Sequence, residues 1–208
     1  MVSSLSAIRR LMLDLLFPSK CVSCGASGEL ICGTCFAQIH RVDELIPAKY
    51  LSGVFSIYRY EKGGVLQKAV KAIKYRFIRE VSGYFRHDIE CVLKCNFAND
   101  YIAAAVPLHR KREKWRGFNQ AAELLYCIDF PRCDFLTRKV HTKPQAELHR
   151  ADRLSNLRNA FAVCGDVSGK NIILIDDICT TGATLSECAR TLKEAGAKEV
   201  WGVVLGHG

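Results

Sequence analysis

The sequence lacks a long hydrophobic run and an export signal. Its apolar stretches all fall short of the ~18 residues that a helix needs to cross a bilayer. The segment from Met1 to Lys20 lacks the small-residue cleavage site of a signal peptide. These absences argue against a membrane-spanning or secreted protein, and we expect the chain to work in the cytoplasm.

The cysteines do not form an even set. There are 11 of them, an odd number that does not suit a framework of disulfides. Several stand singly in apolar or helical stretches, where free thiols pack as small hydrophobic groups. These are Cys127, Cys164, Cys179 and Cys188. The composition therefore fits a reducing compartment better than a disulfide scaffold.

The overall composition is that of a folded and basic protein. A chain of 208 residues that is 49% hydrophobic can bury a full core, which excludes a disordered protein. It is long enough for one α/β domain and a small appendage. The net charge of +9 favours anionic partners such as nucleic acid, diphosphates or acidic lipid, but it does not choose among them.

The amino-terminal region carries an apolar stripe and then two cysteine knuckles. Leu5 to Leu16 has apolar residues at helical spacing and predicts an amphipathic helix that packs on its own domain, with a membrane surface or a partner as the alternatives. Cys21 and Cys24 are followed after seven residues by Cys32 and Cys35. Four thiolates at this spacing predict a closed, structural Zn²⁺ site, and disulfides or an iron–sulfur cluster are the alternatives.

The centre of the chain is a predicted buried strand that ends in two carboxylates. Ile172 to Ile175 is apolar without alternation, as in a parallel strand covered on both faces. Asp176 and Asp177 follow at the strand end where α/β sheets bind ligands. The loop Thr180-Thr-Gly-Ala-Thr184 then leads into a helix that begins at about Ala183. Its amides and hydroxyls suit a phosphate, and the carboxylates suit ribose hydroxyls or the water shell of Mg²⁺.

This stretch resembles the signature of the type I phosphoribosyltransferases. The resemblance implies that Asp176 and Asp177 contact the ribose hydroxyls of 5-phosphoribosyl 1-diphosphate (PRPP), which binds with Mg²⁺. It also implies that the loop residues bind the 5-phosphate. Those residues are Thr180, Thr181, Gly182, Ala183 and Thr184.

The remaining elements complete an α/β pattern. Strands are predicted at Val54 to Tyr58, Tyr101 to Val106, Phe135 to Val140 and Val200 to Leu205, and helices at 66–75, 81–100, 119–126 and 185–196. We expect a type I phosphoribosyltransferase-like parallel sheet flanked by helices, with a small amino-terminal zinc-binding module. The predicted division is 1–45 for the helix and zinc finger and 46–208 for the phosphoribosyltransferase-like domain.

Three basic segments surround the predicted site. Lys74 and Tyr75 end a predicted helix and are candidates for the diphosphate, although lysines on a helix are usually only solvated. A single nucleic acid strand is the other anion that these segments suit, with an aromatic ring to stack on a base. The candidates for it are Lys71, Arg110, Lys111, Arg112, Lys114, Trp115, Phe118, Arg150 and Arg153.

Five features in order are similar to the ComF family, whose members are linked to natural competence and DNA uptake. They are the cysteine knuckles, Lys74-Tyr75, Arg116-Gly-Phe-Asn119, the segment with Gln145, Arg153 and Asn156 or Asn159, and the loop at 176–184. The resemblance implies that Arg116 joins the PRPP site and that Lys143, Gln145 and Arg153 belong to a segment that closes over substrate. A plain solvated loop is the alternative for that segment.

The family resemblance favours a PRPP-binding protein that holds single-stranded DNA and works with a helicase-like partner. The alternatives are an active phosphoribosyltransferase that releases diphosphate and a scaffold with a retired site. No residue of the sequence stands out as a general base for a transferase, and the sequence does not identify an acceptor.

Overall fold

The computed structural model describes residues 18–126, 128–139 and 158–208. The strands are β1 Arg41–Ile46, β2 Gly53–Arg59, β3 Tyr101–Ala105, β4 Leu136–Arg138, β5 Phe161–Val163, β6 Asn171–Cys179 and β7 Glu199–His207. The helices are α1 Gly33–Phe36, α2 Val65–Arg76, α3 Arg86–Asn96, α4 Arg110–Arg116, α5 Gln120–Tyr126 and α6 Ala183–Glu194. A 3₁₀ helix at Arg79–Phe85 precedes α3.

The main sheet has five strands in the order β1-β2-β7-β6-β3. Strands β2, β7, β6 and β3 run parallel, and β1 is an antiparallel edge strand. Ile172 to Ile175 of β6 is fully buried between its two neighbours, as its unbroken apolar run predicts. The predicted α/β fold is confirmed, with β1 making the sheet mixed rather than purely parallel.

Each face of the sheet packs on its own hydrophobic core. Ile173 and Ile175 of β6 face a core shared with α2, α3, α5, the 3₁₀ helix and the cysteine-rich module. Ile172 and Leu174 face a second core, which α6, β4 and β5 complete. Alternation along one strand therefore joins two layers of helices to a single sheet.

Several predicted elements differ in the structure. Residues 41–46 form β1, a strand that was not among those predicted. The predicted third strand is shortened to β4, which pairs with β5 in a separate two-stranded antiparallel sheet. The predicted helix at 81–100 is divided between the 3₁₀ helix and α3. Packing against residues that are distant in sequence decides where these strands and helices begin and end. The local pattern of apolar residues does not reveal such packing.

Two of the predicted segments lie outside the residues that the structure describes. The stripe from Leu5 to Leu16 and the segment with Lys143, Gln145, Arg150, Arg153 and Asn156 lie outside the described residues. Within the described ranges, no helix is both long and apolar enough to cross a membrane.

Candidate functional site

The two carboxylates lie where β6 extends beyond the end of one neighbouring strand. On one side β6 pairs with β3 only as far as Ile175, whereas on the other side it pairs with β7 as far as Cys179. Asp176 and Asp177 therefore lie past the carboxyl end of β3, at the edge where parallel sheets open a crevice. Strand alternation turns the two side chains toward opposite faces of the sheet.

Asp177 is buried and ion-paired. The residue is 3% exposed, and its Oδ1 accepts hydrogen bonds from Lys74 Nζ at 2.9 Å and from the Ile178 amide at 2.6 Å. Its Oδ2 is also buried, and no described residue donates a hydrogen bond to it. A buried carboxylate oxygen without a donor is costly, so Oδ2 has an unfilled capacity to accept a hydrogen bond.

Asp177 also organises the cations around it. Burial is the strongest single influence and lowers the pKa of Lys74, but the charge and hydrogen bond of Asp177, together with the charges of Asp176 and Tyr75, outweigh it and raise the pKa. Arg116 is buried and donates from Nη1 to Gln120 Oε1. Burial lowers the pKa of Arg116, and the charge of Asp177 opposes that shift. The structure thus brings Lys74 and Arg116 together around one carboxylate, although they are far apart in sequence.

Asp176 faces the second hydrophobic core, and its pKa is shifted from the usual value. Burial and the charge of Asp177 raise the pKa of Asp176 to about 7, while Lys74 and Arg138 oppose the rise. Its Oδ1 accepts a hydrogen bond from the Asp177 amide at 2.9 Å. Arg138 was not among the predicted site residues, because β4 becomes a neighbour of Asp176 only through the tertiary fold. The Arg138 guanidinium lies over Phe161, 5.3 Å from the ring centroid.

The hydroxyl-rich loop forms the entry to α6. Gly182 has a φ of 70° and precedes the first helical residue, Ala183, as predicted. The Thr181 hydroxyl accepts a hydrogen bond from the Ala183 amide at 3.4 Å. The left-handed turn at Gly182 lets the chain curl tightly into α6. The start of a helix is an arrangement that suits a phosphate.

A cavity of about 630 Å³ lies beside this loop. Residues 179–183 form one side of it, and residues 46–50 form the facing side. The cavity is also lined by two arginines and a histidine, which are Arg158, Arg190 and His207. Among the described residues, Glu187 is the one carboxylate that lines it. Asp176 and Asp177 are not among the residues that line this cavity.

The predicted nucleic-acid residues divide into exposed and buried groups. Arg110, Lys111 and Lys114 are exposed on α4, a helix that was not among those predicted. Lys71 is exposed and donates to Gln67 Oε1 at 3.2 Å. Arg112 is partly buried, and Tyr75 is exposed beside Lys74.

The aromatic candidates need a correction. Trp115 is 62% exposed, but Phe118 is only 6% exposed, so its ring does not reach a ligand as predicted. Phe118 instead packs inside, with the Arg79 guanidinium 5.1 Å from its centroid. The ring that accompanies Trp115 is Phe77, which is 42% exposed. Their centroids are 5.2 Å apart and their planes meet at 78°.

The four predicted metal ligands come together. The Sγ atoms of Cys21, Cys24, Cys32 and Cys35 all lie within 4.8 Å of one another, and those of Cys24 and Cys32 are 3.7 Å apart. A tetrahedral zinc ion with bonds of about 2.3 Å sets its sulfurs about 3.8 Å apart, so the cluster fits Zn²⁺. Burial raises the pKa of Cys21, but backbone amides, including those of Cys24 and Cys32, lower it to about 6, which favours the thiolate.

Comparison with known proteins identifies the family. A family model described as a phosphoribosyl transferase domain matches residues 115–206, and one described as a double zinc ribbon domain matches residues 12–46. Competence protein ComFC of Bacillus subtilis (strain 168) is 31% identical over 180 residues, which cover 85% of this chain and 72% of that protein. The chain belongs to the ComF family.

Two further relatives also match the chain. Competence protein F of Haemophilus influenzae is 26% identical over 201 residues, covering 88% of this chain and 83% of that protein. DNA utilization protein YhgH of Escherichia coli (strain K12) is 37% identical over 106 residues, covering 47% of this chain and 46% of that protein. This ComF chain therefore has a type I phosphoribosyltransferase-like fold and an amino-terminal zinc ribbon, whose four-cysteine cluster supports a structural zinc.

Proposed function

We propose that this ComF chain binds PRPP with Mg²⁺ at the carboxyl end of β6 and holds single-stranded DNA on its basic surface. The observation that carries the proposal is Asp177, a buried carboxylate with one oxygen paired to Lys74 and the other without a donor. A ribose that brings two vicinal hydroxyls supplies the missing donors. The family model supports the same class of ligand.

Each part of PRPP has a matching group in this site. The ribose hydroxyls donate to Asp176 and Asp177, and the 5-phosphate accepts from the amides at the start of α6. Lys74 and Arg116 offer positive charge to the diphosphate. Mg²⁺ supplies charge neutralisation of the diphosphate when it is bound, and Asp176 and Asp177 are the carboxylates that would hold its water shell.

The biological setting is proposed from the relatives. The names of two relatives refer to competence and that of a third to DNA utilization. We propose a role in DNA uptake, with the protein acting in the cytoplasm beside a helicase-like partner. The free thiols of the described cysteines are consistent with a reducing compartment.

The affinity of the proposed basic surface for single-stranded DNA should depend on salt concentration. Binding of an oligonucleotide should weaken as salt rises, because each phosphate contact adds about 0.7 to the slope of log affinity against log salt. The triple variant Arg110→Ala, Lys111→Ala, Lys114→Ala should lower this slope by about 2. Fluorescence anisotropy of a labelled strand at several salt concentrations measures both slopes.

A charge-matched control separates contact from net charge. The variant Lys20→Ala, Lys94→Ala, Lys198→Ala removes three exposed cations elsewhere and should keep the wild-type slope. An affinity that does not change with salt in the wild type would reject phosphate contact altogether.

An active transferase is the second candidate, and the cations around Asp177 favour it. Lys74 and Arg116 stand where they would stabilise a departing diphosphate. Incubation with PRPP, Mg²⁺ and free purine or pyrimidine bases, followed by measurement of diphosphate, separates the two functions. We expect no release above the protein-free background. Base-dependent release that Arg116→Gln lowers would establish the transferase instead.

A further inference from the structure

Two aromatic rings stand exposed at the ends of neighbouring helices. Phe77 follows the last residue of α2, and Trp115 lies in the last turn of α4. They meet edge to face with centroids 5.2 Å apart, yet 42% of Phe77 and 62% of Trp115 remain exposed. Contact between the rings fixes their positions, while most of the Trp115 ring stays open to a further aromatic group.

The backbone at Phe77 adopts a left-handed conformation. Phe77 has a φ of 58° and closes α2 with its amide donating to the Ala72 carbonyl. Glycine or asparagine is the usual residue at a left-handed helix end, because a larger side chain is disfavoured there. A bulky aromatic residue at such a position is a local cost, and strained positions of this kind cluster at functional sites.

The surroundings of the two rings are positively charged. Arg110, Lys111 and Lys114 are exposed on the same helix as Trp115, and Arg76 is exposed beside Phe77. An exposed aromatic surface bordered by cations is the combination that single-stranded nucleic acids bind, since bases stack on the rings and phosphates pair with the cations.

The rings also stand next to the proposed PRPP site. Lys74, which pairs with Asp177, lies one helical turn before Phe77, and Arg116 directly follows Trp115.

We propose that Phe77 and Trp115 form a stacking platform for one nucleobase of a bound single strand. This inference rests on the proposed binding of single-stranded DNA, and it adds a base-dependent contact to the charge-dependent ones. The platform recognises the flat face of a base, so it does not select a sequence.

The test compares a DNA oligonucleotide with an abasic strand of the same length. Both carry the same phosphates, so only stacking distinguishes them. The wild type should bind the base-bearing strand about 5- to 150-fold more tightly, the range that one stacked base gives. The variants Phe77→Asn and Trp115→Ala should lose most of that preference and bind the abasic strand as the wild type does.

The variants are chosen so that loss of fold does not imitate loss of stacking. Asparagine suits the left-handed backbone at Phe77, so Phe77→Asn should not lower the melting temperature. Tyr126→Ala is the matched control, because Tyr126 is 61% exposed and also lies under an arginine, with Arg132 5.5 Å from its centroid. It should keep the wild-type preference.

Fluorescence gives a second readout of the same contact. The chain has two tryptophans, and Trp201 is stacked on Phe55 with centroids 5.7 Å apart. In the Trp201→Phe variant, the base-bearing strand should quench the emission of Trp115 and the abasic strand should not. Equal binding of both strands would overturn the platform while leaving charge-based DNA binding intact. Failure to bind either strand would overturn the platform and the proposed DNA binding together.

Discussion

Replacement of Asp176 and Asp177 together by asparagine should lower the affinity for PRPP and Mg²⁺ by at least about 100-fold. Each carboxylate is proposed to accept a charge-assisted hydrogen bond from a ribose hydroxyl, and such bonds are worth about 1.5–3 kcal/mol each. Loss of two of them corresponds to roughly 3–6 kcal/mol, or two to four orders of magnitude in affinity.

Asparagine is preferred to alanine because it keeps an acceptor oxygen at each position, although it removes the charge that pairs with Lys74. The Asp177 Oδ1 accepts from the Ile178 amide, and an asparagine oxygen keeps that bond. The double variant Asp129→Asn, Asp134→Asn removes two exposed carboxylates elsewhere and is the matched control. Calorimetry measures the affinities, and thermal unfolding verifies the fold. A double variant at the acid pair that binds PRPP as the wild type does would place the ligand elsewhere.

Loss of the zinc should destabilise the whole domain as well as the zinc ribbon. Ile31 belongs to the core that covers one face of the sheet, and the Phe36 ring lies 6.3 Å from those of Tyr84 and Phe85. The Leu30 amide also donates to the Tyr84 hydroxyl at 3.2 Å. Loss of packing at a large buried side chain costs about 3–5 kcal/mol, so we expect the melting temperature to fall by roughly 10 °C.

The zinc prediction is tested with Cys21→Ser and with a chelator. Both should remove the metal and lower the melting temperature. In the variant, the three remaining thiolates no longer close the tetrahedral shell, whereas the chelator competes with all four thiolates for the ion. Cys133→Ser, at an exposed cysteine outside the cluster, should keep one zinc per chain and the wild-type melting temperature. Metal analysis that finds no zinc in the wild type, or an unchanged melting temperature after its removal, would contradict this role.

The sequence predicts the local parts of the site well. The apolar run before Asp176, the glycine at 182 and the helix that begins at Ala183 are encoded within a few consecutive residues. The cysteine knuckles likewise specify a cluster through short spacings, and the structure brings their sulfurs together. Such features depend on chain geometry alone, so a pattern in one sequence reveals them.

Features that depend on distant contacts were less predictable. Burial of Phe118, exposure of Phe77 and the approach of Arg138 to Asp176 follow from how separate elements pack. The edge strand β1 is exposed along most of its length, so it has no alternating apolar pattern to reveal it. Its pairing with β2 is instead a backbone contact, which a sequence does not display.

Calorimetric titration of PRPP into the zinc-loaded wild type, with and without Mg²⁺, tests the central claim most directly. We predict one site per chain and saturable binding that Mg²⁺ strengthens, because the ribose satisfies the unpaired oxygen of Asp177 and the metal neutralises the diphosphate. Absence of saturable binding to the folded, zinc-loaded protein would contradict the claim and leave the crevice beside Asp177 without its proposed ligand.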